Sequence, residues 1–304
     1  MKIGLIDLGK KDKGKTFPNY ALMKISTFHK SIGDTVKWYD PYEWQESEKY
    51  DKVYVSKVFS FIPDYQYIIN AKQVIKGGTG FYINRILPKP IENCLPDYSL
   101  YPDVDFEIGF LTRGCINKCS FCVVPKKEGG IKSYDSWQKI KRFNSNKIVF
   151  MDNNALASEY GIRQIRSMIG QDLKIDFNQG LDCMLVNEKV ADYLSALKWI
   201  EYIRFSCDKE YQMPHIEKCV KLLNERGVKP YRIFIYVLGT TMESTYKRVE
   251  FLRNLGVTPF LQPVIDLKSG TKNQNKELCV YANYVNKKSV FNSCSWENYN
   301  GKKK

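Results

Sequence analysis

In the N-terminal third of the chain, apolar side chains fall in short runs separated by turn-forming residues. Residues 3–8 make a near-continuous apolar run of strand length, while Leu22, Ile25, Thr27 and Phe28 carry helix-like spacing over 20–30. Gly33-Asp34 stops that helix, and residues 35–39 give a second strand. The alternating stretch 52–61 reads as a third strand, and 73–75 as a short fourth that runs into Gly77-Gly78-Thr79-Gly80. This order predicts a small Rossmann-like parallel sheet over residues 1–100, with ligands at the C-terminal strand ends. Pro88, Pro90, Pro96 and Pro102 punctuate residues 84–104 without periodicity, which reads as a linker and sets a domain boundary near residue 100.

Beyond that boundary, strand-like and helix-like patterns alternate. Strands are expected over 107–111, 147–151, 174–177, 202–206, 231–238 and 258–264, and amphipathic helical spacing recurs over 188–199, 216–226 and 244–255. Gly227 and Gly256 stand where left-handed C-terminal caps would close the last two helices. Repeated βα units are the pattern of a barrel whose chemistry gathers at the C-terminal ends of its strands. They span residues 101–270. The stretch 271–304 begins polar and then carries Tyr281, Tyr284, Phe291, Trp296 and Tyr299, as an extension that could cap the open side.

Composition narrows the class. No run of 18 apolar residues exists, which excludes a helical membrane span, and the opening eight residues are too short for a signal-peptide core. The nine cysteines are an odd number, and those at 94, 183, 207, 219, 279 and 294 follow no pairing logic. A reduced, cytoplasmic compartment is expected. The formal net charge of +14 draws on clusters at 10–15, 126–127, 287–288 and 302–304. Such a surface attracts polyanions, so nucleic acid is an expected partner, with plainly solvated lysines as the alternative.

The densest chemistry is Gly114-Cys115-Ile116-Asn117-Lys118-Cys119-Ser120-Phe121-Cys122, three cysteines spaced C-x3-C-x2-C just after the first strand of the second region. A [4Fe–4S] cluster normally takes four thiolates, so Cys115, Cys119 and Cys122 would hold three irons and leave the fourth open to another ligand. Zinc is the competing reading, although a closed zinc site wants four Cys or His ligands and the only histidines are His29 and His215.

At these residues the sequence resembles the radical S-adenosylmethionine (SAM) superfamily. The resemblance implies an α/β fold, a (β/α)6 partial TIM-like barrel preceded by the small Rossmann-like domain, and it covers residues 105–266. It also implies that SAM chelates the open iron and is cleaved reductively to a 5′-deoxyadenosyl radical. Phe121 matches the aromatic that packs near the adenine. The segment 152–154 takes the place that contacts the SAM amino group, with Asp152 or Asn153 standing for a Gly-Gly-Glu triplet that is absent here. Ser206 and Asp208 take the place of ribose or carboxylate contacts, and Gly239 to Glu243 that of a glycine-rich segment beside the adenine. Asn, Asp and Ser at strand ends also serve as ordinary turns and caps. Asp182 and Arg204, near strand ends, are further candidates for substrate contacts. Arg113, Lys126 and Lys127 flank the cysteine loop and could steer an anionic substrate or an electron donor such as flavodoxin or ferredoxin.

The N-terminal domain resembles the shortened cobalamin-binding-like domain found ahead of many radical SAM barrels, through Phe17-Pro18-Asn19-Tyr20-Ala21-Leu22 and Gly77-Gly78-Thr79. The Asp-x-His-x-x-Gly motif of a lower ligand is absent, so cobalamin stays an open cofactor assignment beside a purely structural domain. Gly9-Lys10-Lys11-Asp12-Lys13-Gly14-Lys15-Thr16 satisfies the phosphate-cradling pattern G-x4-G-K-[ST], with a variable lysine-rich surface loop as the other reading. Phe121-Cys122-Val123-Val124-Pro125 resembles the cluster loop of tRNA methylthiotransferases. Those enzymes bind a second cluster with three N-terminal cysteines, whereas only Cys94 precedes Cys115 here. Three functions follow as expectations: a radical SAM enzyme that modifies a macromolecule, with nucleic acid favoured; one acting on a peptide or small metabolite, including as a methylase; or a non-catalytic iron–sulfur module that binds polyanions.

Overall fold

The computed structural model describes residues 1–10, 16–41, 49–142, 145–264 and 276–303. The phosphate-loop pattern at 9–16 therefore lies mostly outside the described residues. The chain divides into two units, Met1–Asp105 and Phe106–Lys304.

The first unit holds β1 (Lys2–Asp7), α1 (Tyr20–Ser31), β2 (Thr35–Trp38), β3 (Tyr50–Ser56) and β4 (Ala71–Gly77). The strands form one parallel sheet in the order β2-β1-β3-β4. Ile6, Tyr50, Val53 and Val55 make a small buried cluster in this unit. Asn19 caps α1 by accepting the Leu22 N–H (3.3 Å), which explains why the helix starts after Phe17-Pro18. Between β3 and β4 no helix forms, although parallel neighbours usually cross over through one. The edge strand β4 consequently leaves Lys72, Gln73, Val74 and Lys76 exposed.

The stretch read as a linker is instead docked on α1. It forms α2 (Lys89–Glu92), begun by Pro88 and Pro90, and buries Leu100 and Tyr101. The buried Lys24 ammonium reaches the Glu92 carbonyl (2.5 Å), and Asp97 accepts from Ser26 (2.7 Å) and Lys30 (2.7 Å). Prolines there start turns that present polar groups to α1, a role that local periodicity does not reveal. Burial opposes ionisation of Asp97, yet bonds from Lys30, Ser26 and Ser99 hold its carboxyl at about 2. Because this lies below the unfolded value of about 3.9, the contribution is complete above pH 4 and is lost as pH falls towards 2. Acidification across that window is expected to weaken the docking of 84–104 by about 1 kcal/mol after allowance for solvent screening. Protection of the Asp97–Tyr101 amides relative to their intrinsic exchange rates should fall in wild type over this range and be already low, with no pH step, in Asp97→Asn.

The second unit carries β5 (Glu107–Gly109), β6 (Thr112–Arg113), α3 (Val124–Lys127), β7 (Lys132–Ser133), α4 (Trp137–Ile140), β8 (Lys147–Phe150), α5 (Glu159–Ser167) and β9 (Lys174–Phe177). Then follow α6 (Glu188–Ala196), β10 (Lys198–Trp199), β11 (Ile203–Ser206), α7 (Met213–Glu225), β12 (Ile233–Gly239), α8 (Met242–Asn254), β13 (Thr258–Pro263), α9 (Lys276–Asn286) and α10 (Lys288–Ser293). Two parallel sheets result, β10-β9-β8-β5 and β11-β12-β13, joined by a parallel bridge between Leu181 and Phe205. All six expected strand positions are strands, with ends shifted by a few residues. The architecture is mixed α/β with parallel sheets, and no closed barrel forms among the described residues.

Caps fix the helices. Ser158, Asn187 and Thr241 accept N–H bonds in the first turns of α5, α6 and α8, and Gly227 and Gly256 adopt φ of 85° and 68° after α7 and α8. The helix expected over 188–199 stops at Ala196, because Lys198 and Trp199 pair with Lys174 and Ile175 and the Trp199 indole satisfies the Leu194 carbonyl (2.8 Å). One core runs through both sheets and takes in Leu278, Tyr281 and Tyr284 of α9 and Phe291 of α10. No helix among the described residues is long and apolar enough to cross a membrane.

Candidate functional site

The cysteine loop is closed at its base. Thr112 and Arg113 pair antiparallel with Ser133 and Lys132, so residues 114–131 leave and return at one point. Gly114 makes the exit at φ +85°, and the Cys115 N–H donates to the Gly129 carbonyl (3.2 Å). The Glu128 carboxylate locks this base. It accepts from Arg113 Nε (3.0 Å) and Nη2 (2.6 Å), from the Gly114 N–H (2.9 Å) and from Asn153 Nδ2 (3.2 Å). Burial raises the Glu128 carboxyl, but its bonds and attraction to Arg113 prevail and hold it below the ordinary value.

Asp152, just past the end of β8, supports the same region from inside. It is 1% exposed, and its oxygens accept the Leu111 N–H (2.9 Å), the Thr112 N–H (2.6 Å) and the Thr112 hydroxyl (2.7 Å). Burial pushes its carboxyl up to about 6 against those bonds. The carboxylate is thus committed to the backbone that leads into the cysteine loop. The neighbouring Asn153 is turned to Glu128, and Asn154 to the Cys115 thiol.

All nine cysteines are free thiols. Cys115 Sγ accepts the Asn117 N–H (3.3 Å) and Asn154 Nδ2 (3.7 Å), and Cys122 Sγ accepts the Val124 N–H (3.4 Å). Burial raises the Cys119 and Cys122 thiols; Cys119 is raised further by Cys122, Cys115 and Asp208, and Cys122, against the Val124 N–H bond, by Cys115, Asp208 and Glu128. Phe121 is half-buried on the same loop. Among the described residues, no three His, Cys, Asp or Glu side chains are gathered as a single metal ion needs. A zinc ion draws its ligands around one point, whereas a cubane gives each thiolate its own iron.

Asn154 and Asp182 tie the loop to the strand ends. Asp182 Oδ2 accepts from Asn117 Nδ2 (3.0 Å) on the loop and from Asn154 Nδ2 (3.1 Å) after β8. Asn154 is 2% exposed, and its Oδ1 has no hydrogen-bond partner among the described residues. Asp208, beyond β11, accepts the Leu238 N–H (2.9 Å); burial raises its carboxyl while Leu238, Arg248 and Ser206 oppose that. Arg248 of α8 is fully buried and donates to the carbonyls of Cys207 (2.7 Å) and Leu238 (3.0 Å), binding the ends of β11 and β12 together.

The expected site residues thus divide. Cys115, Cys119, Cys122 and Asp208 lie within one electrostatic neighbourhood, and Asn154 with Asp182 joins it by hydrogen bonds. Gly239 closes β12 where a Cβ would come within 3.1 Å of Leu261 and 3.2 Å of Leu278, a packing reason for glycine. Glu243 is exposed in the first turn of α8, where an acid complements the helix dipole, and no hydrogen bond or ion pair joins it to the loop among the described residues. Arg204 is engaged through Nε with both Asp176 oxygens (2.7 and 3.0 Å). Asn117, Glu128 and Arg248 escaped the sequence reading. Only Glu128 left a trace there, as a lone acid between Lys126-Lys127 and Gly129-Gly130.

No known family's model matches the chain, and a search of curated proteins finds no significant match.

Proposed function

We propose that the protein is a radical SAM enzyme in which Cys115, Cys119 and Cys122 each hold one iron of a [4Fe–4S] cluster, set at the open end of a (β/α)6 partial barrel. The observation that carries this reading is one loop bearing three free thiols. It follows β5, the first strand of the parallel sheet β10-β9-β8-β5, and Asn117, Asn154 and Asp182 bind it to residues following β8 and β9. The donor set suits the cluster: backbone and side-chain N–H groups already point at two of the sulfurs, as they do around thiolates that ligate iron. When bound, the cluster supplies one electron that cleaves the carbon–sulfur bond of coordinated SAM, leaving methionine and a 5′-deoxyadenosyl radical.

The chain's own residues do the holding. Glu128 and Arg113 fix the base of the loop, Asp152 fixes the strand that feeds it, and Asn154 orients Cys115. The buried, unpartnered Oδ1 of Asn154 offers an acceptor at the loop. Ser206, Asp208 and Phe121 are retained as SAM contacts on resemblance. Cobalamin fits poorly: His29, the first unit's one histidine, is 2% exposed and its ring nitrogens meet Asp34 (2.6 Å) and Tyr54 (2.9 Å), so it cannot serve as an axial ligand. Modification of a macromolecule, with nucleic acid favoured on the charge of +14, is the substrate class proposed. A flavodoxin or ferredoxin would supply the electron.

The test is anaerobic reconstitution with iron and sulfide, then dithionite and SAM with assay of 5′-deoxyadenosine. Wild type is expected to bind about four irons per chain and release 5′-deoxyadenosine. Cys115→Ala/Cys119→Ala/Cys122→Ala should lose both. A stable cluster that never cleaves SAM, with or without nucleic acid, would favour a non-catalytic iron–sulfur module. Failure to assemble any cluster would overturn the reading.

A further inference from the structure

The loops that follow β3 and β4 in the first unit expose aromatic rings among cations. Phe59 and Phe61 are 55% and 42% exposed, and their rings stack on each other at 5.2 Å and 19°. Tyr82 is 51% exposed, with the Arg85 guanidinium 5.8 Å from its ring centroid. The Lys76 ammonium lies 5.4 Å from the Phe81 ring, and Arg85 Nη1 donates to the Lys76 carbonyl (2.8 Å).

These two loops are one surface. Gly80 donates its N–H to the Lys57 carbonyl (2.8 Å), and a Cβ on Gly80 would stand 2.8 Å from the Phe59 carbonyl. Gly78, at φ +93°, would collide with the Lys57 carbonyl at 2.4 Å if it carried a side chain. Glycines therefore press the loop bearing Tyr82 and Arg85 against the loop bearing Phe59 and Phe61. The patch also lies where a parallel sheet opens, at the C-terminal strand ends.

Charge decides what such a patch fits. Residues 57–89 hold five cations (Lys57, Lys72, Lys76, Arg85, Lys89) and a single carboxylate, Asp64. That carboxylate is bound by Lys57 (2.7 Å) and Lys72 is paired with Asp51 (2.7 Å), so the positive field at the patch rests on Lys76 and Arg85. Exposed ring faces interleaved with Lys and Arg stack unpaired bases and meet phosphates, whereas a duplex keeps its bases stacked on each other. An apolar partner protein would be poorly matched by the cations.

We infer that this surface binds single-stranded nucleic acid, with bases on Phe59, Phe61 and Tyr82 and phosphates on Lys76 and Arg85. It goes beyond the proposed chemistry by giving the first unit a substrate-gripping role. Its test needs no cluster, so it can fail while the radical reading stands, and the reverse.

The test is fluorescence anisotropy of the full chain with fluorescein-labelled 12-nucleotide oligo(dT) and oligo(U), against a 12-base-pair duplex, over a salt series. Wild type and the Cys115→Ala/Cys119→Ala/Cys122→Ala variant should bind the single strands alike and more tightly than the duplex. Phe59→Ala/Phe61→Ala should weaken binding roughly tenfold or more without changing the salt slope. Lys76→Ala/Arg85→Ala should weaken it and reduce the slope of log affinity against log salt by about 1.4, the value for two phosphate contacts on a single strand. All four side chains are exposed, and unchanged circular dichroism would show the fold intact. Equal binding by wild type and both double variants, or a preference for duplex, overturns the inference. Concentration-dependent self-association that is abolished by Phe59→Ala/Phe61→Ala, in place of oligonucleotide binding, overturns it as well.

Discussion

Asp152→Ala is expected to destabilise the second unit by about 3–5 kcal/mol, because it leaves buried donors at Leu111 and Thr112 without an acceptor. Each orphaned buried donor costs about 1–3 kcal/mol, and water cannot easily replace a carboxylate that is 1% exposed. The loss is local as well as global. Leu111 and Thr112 lead, with Arg113, into the cysteine loop, so their register sets where Gly114 and Cys115 fall. Denaturant unfolding should report the stability change, and hydrogen exchange should place it at the Leu111 and Thr112 amides. Asp152→Asn should cost less, about 2 kcal/mol, since its amide keeps one acceptor but brings a donor against donors. Unchanged exchange at both amides in Asp152→Ala would show that another group holds them.

Gly114→Ala should open the cysteine loop, and Gly129→Ala should not. Both glycines have positive φ, +85° and +72°, so both substitutions carry the left-handed penalty of about 1–2 kcal/mol. They differ in space. A Cβ on Gly114 would sit 2.2 Å from the Gly130 carbonyl oxygen and 2.8 Å from that of Gly129, both backbone atoms that cannot step aside alone. Nothing lies within 4 Å of a Cβ on Gly129. The Cys115 N–H bond to Gly129 would break in the first variant and survive in the second. Thiol labelling of Cys115 should accelerate several-fold in Gly114→Ala, and iron retained on reconstitution should fall in parallel. Gly129→Ala should resemble wild type in both, and equal behaviour of the two variants would remove the steric account.

Much of the fold was readable because it depends on neighbours along the chain. Apolar runs of strand length located β5, β8, β9, β11, β12 and β13, and the glycines after α7 and α8 marked helix ends that any local rule can find. The cysteine spacing was equally local. What escaped was contact between distant residues. Arg248 reads as one more charge on a helix, yet it is buried on the carbonyl of Cys207, 41 residues away, at the junction of two strands. Lys24 reads as a solvated lysine and is buried under α2. Asp152 lies at a strand end, where a ligand contact is the natural guess; the direction of its carboxylate, back towards Leu111 and Thr112, is set by packing. The same holds for residues 84–104, whose prolines signal irregular backbone but not its docking on α1.

The edge strand β4 has a consequence for how the first unit survives its own synthesis. An outer parallel strand with free backbone groups is a template on which another chain can build, and parallel sheets pair late because their partners are far apart in sequence. Val74 and Ile75 alone would make β4 adhesive during that interval. Lys72 and Lys76, both exposed on the same strand, place like charges against any second copy that tries to align there. On the surface inferred above, Lys76 would serve both duties, meeting phosphate in the folded protein and repelling a second copy during synthesis, so a substitution there would change both.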